Sequence, residues 1–274
     1  MNRIVLTLSY DGASYAGWQT QPSGLTVQDK LEAAIQSIQG QPAATICAGR
    51  TDAGVHALAQ VVHFDTAVVR PLSAWVRGVN AHLPTSIAVH SAQLVEPSFN
   101  ARMSATARTY NYLIIESTTR QPLWQGRAGW SFRSLEPALM QQAAQAVQGT
   151  YDFTSLRSSQ CQAATPIRTI SECRVMRRGQ FILIRVKANA FLHHMVRNLV
   201  GCLVQIGQGK RPVSWMAEVI EQRDRKFAAP TYAPDGLYLT DVEYPSEFAI
   251  RTGLAINPLP ISFPDHNEHF ENTH

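Results

Sequence analysis

Between Gly49 and Ala57 the chain reads Gly-Arg-Thr-Asp-Ala-Gly-Val-His-Ala. One carboxylate, Asp52, has an arginine two residues before it and a glycine two residues after it, with apolar, strand-like sequence on both sides. Alternate residues of an extended chain share a face, so Arg50 and Asp52 are expected to point the same way. A carboxylate held beside a cation stays ionised and oriented, and a nucleophilic aspartate requires both. Gly54 would let the backbone turn sharply or let a ligand come close. The same residues also read as a structural Arg–Asp pair beside a turn, since ion-pair networks often do no chemistry.

Asp52 needs a partner, because an isolated buried carboxylate is costly and tends to protonate. Arg50 is the local candidate. A second comes from the run Ala188-Asn-Ala-Phe-Leu-His-His-Met-Val-Arg-Asn198, where a strand-like segment gives way to a helix expected over 191–206. On that helix His194, Arg197 and Gly201 share a face at spacings of three and four, so Arg197 could reach a carboxylate from the other half. The adjacent His193 and His194 invite a metal reading. Neighbouring helical residues point about 100° apart, whereas metal-binding helices use i, i+4 spacing, so no metal is expected. Tyr110 and Tyr112 alternate on a strand, either as ordinary strand residues or as a stacking platform for a base. Phe99-Asn100-Ala101-Arg102 adds an aromatic and an arginine, and the loop from Arg157 to Cys161 has the polarity to touch phosphates or sugars.

These residues sit on a recognisable succession of elements. Strands are expected over 3–10, 45–48, 59–64 and 86–95, with helices over 26–39 and 72–83. Thr26 and Asp29 read as a capping box, and Gly40 stops the first helix. The second half repeats the order. Strands over 109–115, 170–176, 181–186 and 236–244 frame helices over 137–147, 191–206 and 214–223, and a hairpin crosses 177–179. Each half reads as β-α-β-β-α-β, the split βαβ arrangement of ferredoxin-like and RRM-like domains. The expected fold is α+β: residues 1–104 carry Asp52, residues 105–245 complete a central cleft, and the two join in one mainly antiparallel sheet. Residues 246–274 are expected to be a peripheral or poorly ordered tail.

Bulk properties narrow the class. No apolar run approaches the roughly 20 residues of a membrane span, and the N-terminal run lacks a cleavage site. The four cysteines, Cys47, Cys161, Cys173 and Cys202, are widely spaced, which argues against a zinc site or a disulfide framework and fits a cytoplasmic protein. The net charge of +4 is unevenly spread: residues 100–211 hold 15 basic and 4 acidic side chains. Arginine outnumbers lysine 20 to 4. A planar guanidinium suits phosphate and base, so a polyanion, nucleic acid above all, is the expected partner.

Together the motifs are specific. The stretches Tyr10-Asp-Gly12, Gly17-Trp-Gln19, Gly49 to Ala57, Phe99 to Arg102, Arg108-Thr-Tyr110, Ala188 to Asn198 and Gly236-Leu-Tyr-Leu239 resemble, in order and over about residues 3–245, the tRNA pseudouridine synthase A family. The chain departs from that pattern at Asn100, where relatives often carry histidine. The resemblance implies the pseudouridine synthase fold, an isomerase without metal or cofactor, and a homodimer acting on the anticodon stem-loop at uridines 38, 39 and 40. It implies Asp52 as nucleophile, attacking either ribose or base. Arg197 would keep it ionised, Arg50 would hold the flipped nucleotide, and Tyr110 would stack on the uracil and help remove the C5 proton. Leu237 would form an apolar wall. Phe99, Asn100, Ala101, Arg102, Arg70, Arg157, Gln160 and His194 would contact the RNA. Two other readings remain: an RNA-binding module without catalysis, which leaves Asp52 unexplained, and a hydrolase, which would need a second carboxylate nearby where the motifs offer arginine and tyrosine.

Overall fold

A computed structural model describes residues 1–250, 252 and 258–263. The alternating N-terminal run forms β1 (Asn2–Tyr10), followed by α1 (Val27–Gln39), β2 (Ile46–Cys47), β3 (His56–Thr66), α2 (Leu72–His82) and β4 (Ile87–Val95). The second half runs β5 (Ala107–Glu116), β6 (Gly129–Ser131), α3 (Pro137–Gln145), β7 (Gly149–Asp152), β8 (Ile167–Arg178), β9 (Phe181–Ala188), α4 (Met195–Gly207), α5 (Trp215–Gln222) and β10 (Leu237–Glu243).

The local signals act where they stand. Thr26 accepts from the Asp29 N–H while the Asp29 carboxylate accepts from the Thr26 N–H, so the free donors at the start of α1 are satisfied. Gly40 takes the left-handed conformation that ends it, with φ of 77°. Leu31 and Ile35 on the inner face of α1 are fully buried. The short strands β6 and β7 carry no sequence signal strong enough to be expected. α4 begins at Met195, a full turn later than its apolar periodicity suggests.

One ten-stranded sheet runs through the molecule in the order β4-β1-β3-β10-β5-β9-β8-β7, with β2 paired to β3 and β6 to β5. Within the first half the order is β4-β1-β3-β2, and within the second it is β10-β5-β9-β8. Both place the strands of a split βαβ unit as fourth, first, third, second. β2 is only two residues long and covers β3 at Val62 and His63 alone. The start of β3 is left open, and β10 pairs with it in parallel, Tyr238 opposite His56 and Leu239 opposite Ala57. This seam joins the halves.

Alternation along β5 separates two cores. Tyr110, Tyr112 and Ile114 join the main cluster, which includes Leu31, Met140, Leu199 and Val219 from the helices. Leu113 and Ile115, on the opposite face, join a smaller cluster with Leu183, Tyr238, Ile261 and Phe263. Much of the tail expected over 246–274 lies outside the described residues. Its described portion includes Ile261 and Phe263, which are buried, with the guanidinium groups of Arg174 and Arg185 over the Phe263 ring at 4.9 and 4.7 Å. Apolar surface on that face of the sheet drives this docking.

The capping box of α1 gives a direct check. Thr26→Ala should cost about 1 kcal/mol, read as a lower denaturation midpoint at unchanged slope. An unaltered midpoint would mean that packing alone holds the helix.

Candidate active site

Asp52 lies in the loop between β2 and β3, and that loop is fastened along its length. Gln60 Nε2 donates to the Gly49 carbonyl at 2.7 Å. The Tyr10 and Thr51 hydroxyls meet at 2.8 Å, and the Trp18 N–H donates to the Thr51 carbonyl at 3.0 Å. The Val55 N–H returns to the Asp52 carbonyl at 3.1 Å, and Gly54 makes this turn with φ of 79°, the conformation for which a residue without Cβ was anticipated. The segment is loop, not extended strand, so alternation does not set Arg50 beside Asp52. Arg50 is exposed, and the partners within ion-pair distance of the carboxylate come from the other half.

Those partners stand where β9 gives way to α4. Arg197 Nη1 lies 3.0 Å from Asp52 Oδ2. The rest of its guanidinium is aimed by backbone: Arg197 Nε donates to the Tyr232 carbonyl at 2.9 Å, and the Tyr232 N–H donates to the Arg197 carbonyl at 3.2 Å. The segment bearing Tyr232 can lie this close because of Gly201, where a Cβ would sit 2.4 Å from the Pro230 carbonyl oxygen.

The histidines correct the expectation based on helical spacing. His194 is not within a helix; it caps α4 in the left-handed region, with φ of 62° and ψ of 4°. Such a conformation is costly for a residue with a Cβ and persists only where the surroundings impose it. Its effect is to bring both rings to one side. The imidazoles lie 3.9 Å apart between centroids, with His193 Nε2 at 3.3 Å from Asp52 Oδ1 and His194 Nε2 at 3.4 Å from Oδ2. The ligand atoms of Asp52, His193 and His194 lie within 4.8 Å of one another, close enough to share an ion. A cation seated there would face the Arg197 charge at close range. Burial lowers the pKa of His194 below its ordinary 6.5, outweighing the opposite pull of Asp52, so the ring is neutral at pH 7.

Tyr110 on β5 forms the floor. It is buried, meets Phe191 edge-to-face at 5.1 Å, and its hydroxyl would lie 3.6 Å from a Cβ built at Gly49. Burial pushes that hydroxyl well above the usual tyrosine range. Leu237 on β10 is buried, in register with Tyr112.

The remaining expected contacts separate by exposure. Arg70, Arg102 and Gln160 are exposed, and Arg157 is half-buried with Nη2 donating to the Cys161 carbonyl at 3.2 Å. Phe99 and Ala101 are fully buried, so they offer no side chain to a ligand. Phe99 packs against Tyr244 and Phe248, and the Ala101 N–H donates to His63 Nδ1 at 3.1 Å. Asn100 Oδ1 accepts from the N–H groups of Arg102 and Met103, both at 3.0 Å, and so shapes the turn that presents Arg102. Sequence reasoning missed His193, which the doubled histidine signalled, and the Tyr232 carbonyl, which nothing signalled.

The model of the tRNA pseudouridine synthase family matches residues 7–102 and 143–245. A tRNA pseudouridine synthase A from Bordetella petrii is 56% identical over 253 residues, covering 92% of this chain and 94% of that protein. One from Herminiimonas arsenicoxydans is 54% identical over 246 residues, covering 88% and 90%. One from Ralstonia nicotianae is 51% identical over 263 residues, covering 94% and 96%. With a carboxylate held across the seam of a doubled split βαβ sheet and likeness running through both halves, the chain belongs to the tRNA pseudouridine synthase family.

Proposed function

We propose that this chain converts uridine to pseudouridine in the anticodon stem-loop of tRNA, at positions 38, 39 and 40, with Asp52 as the nucleophile. Membership of the family makes it an isomerase acting on tRNA uridine. The observation that carries the finer reading is the Asp52 carboxylate, clasped at 3.0 Å by Arg197 from the opposite half and flanked by two imidazoles. Such a group is oriented and reachable, with 22% of its side chain exposed.

The target uridine leaves its stack, at a cost of a few kcal/mol. Exposed Arg50 is free to occupy the vacated space and hold the nucleotide. Asp52 attacks ribose or base, the bond from N1 to C1′ breaks, the uracil turns over the Tyr110 floor, C5 bonds to C1′, and the bond to Asp52 breaks to return the free carboxylate. The C5 proton then departs and N1 gains one, so atoms and charge balance without a redox partner. The raised pKa of Tyr110 suits it to stacking and hydrogen bonding more than to abstracting that proton. Leu237 closes the pocket on its apolar side. Arg70, Arg102, Arg157 and the wider basic block hold phosphates. Residues 1–104 and 105–245 act as the two jaws of the cleft, in a cytoplasmic enzyme that works as a homodimer, so that one subunit can grip the tRNA body while the other acts.

Asp52→Asn should bind tRNA and release no tritium from C5-tritiated uridine, whereas the wild type releases it. Substantial release by the variant would end the nucleophile assignment, and no release by either would favour a module that binds without turning over. Affinity for tRNA should fall with a linear slope of log affinity against log salt, since each phosphate contact frees counterions; a flat salt profile would move recognition away from the arginines. Because burial lowers the His194 pKa, its ring gains charge only as pH drops through a value below 6.5. The cation would then compete for the Asp52 carboxylate, so the single-turnover rate should hold at pH 7 and fall in that more acid range. His194→Gln should abolish this limb; a limb that persists unchanged belongs to another group.

A further inference from the structure

Arg108, on β5, is 8% exposed and forms no ion pair among the described residues. Its guanidinium is satisfied by main-chain carbonyls. Nε and Nη2 donate to Ala48 at 3.2 and 2.9 Å, and Nη2 donates to Arg102 at 2.6 Å. Nη1 donates to Ala105 at 3.0 Å and to Asn189 at 2.9 Å. These bonds account for all five N–H groups of the side chain.

The carbonyls come from separate pieces of the site. Ala48 opens the loop that carries Asp52. Asn189 opens the segment that carries His193, His194 and Arg197. Arg102 is an exposed arginine at the mouth, and Ala105 belongs to the connection between the halves. Arg108 also shares a strand face with Tyr110, so one short stretch of β5 supplies the floor and grips both walls.

We propose that Arg108 is a positioning residue, whose guanidinium sets the gap across which Asp52 meets Arg197; the proposal rests on the reading of Asp52 as the nucleophile of a pseudouridine synthase. A planar fork can address carbonyls on several sides at once. Lysine, with its donors on one compact ammonium, cannot. Charge alone therefore does not fill the role.

The test is single-turnover conversion of tRNA uridine by wild type, Arg108→Lys, Arg197→Lys and the double variant, with tRNA affinity and melting temperature measured for each. Arg108→Lys should lower the rate on the order of 10²-fold, the scale of a displacement of about 1 Å, while tRNA affinity holds. The two losses should be non-additive, with the double variant little slower than the slower single one, because both act on one contact. Multiplicative losses, or a wild-type rate in Arg108→Lys, would overturn the proposal. Should Arg108→Lys fail to fold, Asn189→Ala serves instead. Asn189 is exposed, and its side chain accepts from the Thr169 and Ala190 N–H groups at 3.0 and 2.9 Å, steadying the same carbonyl. It should slow the step and be non-additive with Arg197→Lys; an unchanged rate would overturn the proposal in the same way. A wild type that makes no pseudouridine would sink the reading of the site itself, whereas an active wild type with additive losses sinks only the role of Arg108.

Discussion

Asp52 and Arg197 are 145 residues apart along the chain and 3.0 Å apart in space, each delivered by a different half of the sheet. The two side chains are 14% and 22% exposed, and the cost of desolvating them offsets their attraction, so the pair does not hold the halves together. The dependence runs the other way: the halves must already be held before the pair can exist. The parallel pairing of β3 with β10 and the antiparallel pairing of β10 with β5 do the holding, since β10 belongs to the second half and completes the edge of the first. Where β2 stops short, β10 takes over, and the loop bearing Asp52 leaves the sheet at that junction. The cleft is thus a consequence of truncating one strand of a split βαβ unit and letting its counterpart's last strand fill the edge.

This arrangement shows how a site built from loops is held in place. Loops carry chemistry because scaffold elements leave their side chains free. Here the loop 48–55 is pinned by Gln60 from β3, by Tyr10 from β1, by Trp18 and by Arg108. Across the cleft, Arg197 exchanges backbone and side-chain bonds with Tyr232. The Asp52 loop and Arg197 are thus held by bonds other than the one between the Asp52 carboxylate and Arg197 Nη1, which is the condition for pre-organisation.

Most of the architecture is legible in the amino-acid sequence because it rests on local rules. The Thr26–Asp29 box and Gly40 bound α1, period-two alternation marks β1 and β5, and the order of elements implies the doubled split βαβ unit. Arg197 was within reach of the same reasoning, because helical spacing gives its face. What escaped depends on contacts that are distant in sequence. The apolar stripe of α4 extends back to Leu192, so periodicity alone starts the helix too early; the left-handed turn at His194 sets its start, where the rings of His193 and His194 meet Asp52 of the opposing half. Phe99 looked like a free aromatic in a polar run, yet Tyr244 and Phe248, far along the chain, enclose it. Arg108 stood out as part of Arg108-Thr-Tyr110, but its grip on both walls did not, because bonds to carbonyls leave no trace in residue identities.

That Arg108 is held by carbonyls and by no carboxylate has an electrostatic logic. An acidic partner beside it would add a fixed negative charge close to Asp52, compete for Arg197 and repel the phosphates of an approaching RNA. Carbonyl dipoles satisfy every donor without cancelling the charge. Three acids of the second half are taken up by other arginines. Glu116 is paired with Arg177 at 2.6 Å, Glu172 with Arg174 at 3.9 Å and Asp152 with Arg223 at 4.0 Å, and none of them is within ion-pair distance of Arg197 or Arg108. Asp235, Asp241 and Glu243 also lie on or beside β10, so Asp52 is one acid among several near the seam, and the surplus of basic side chains over residues 100–211 sets the field that draws a polyanion towards it. A carboxylate can serve as the nucleophile towards RNA only under that condition, because the phosphates that must come near it would otherwise be driven away.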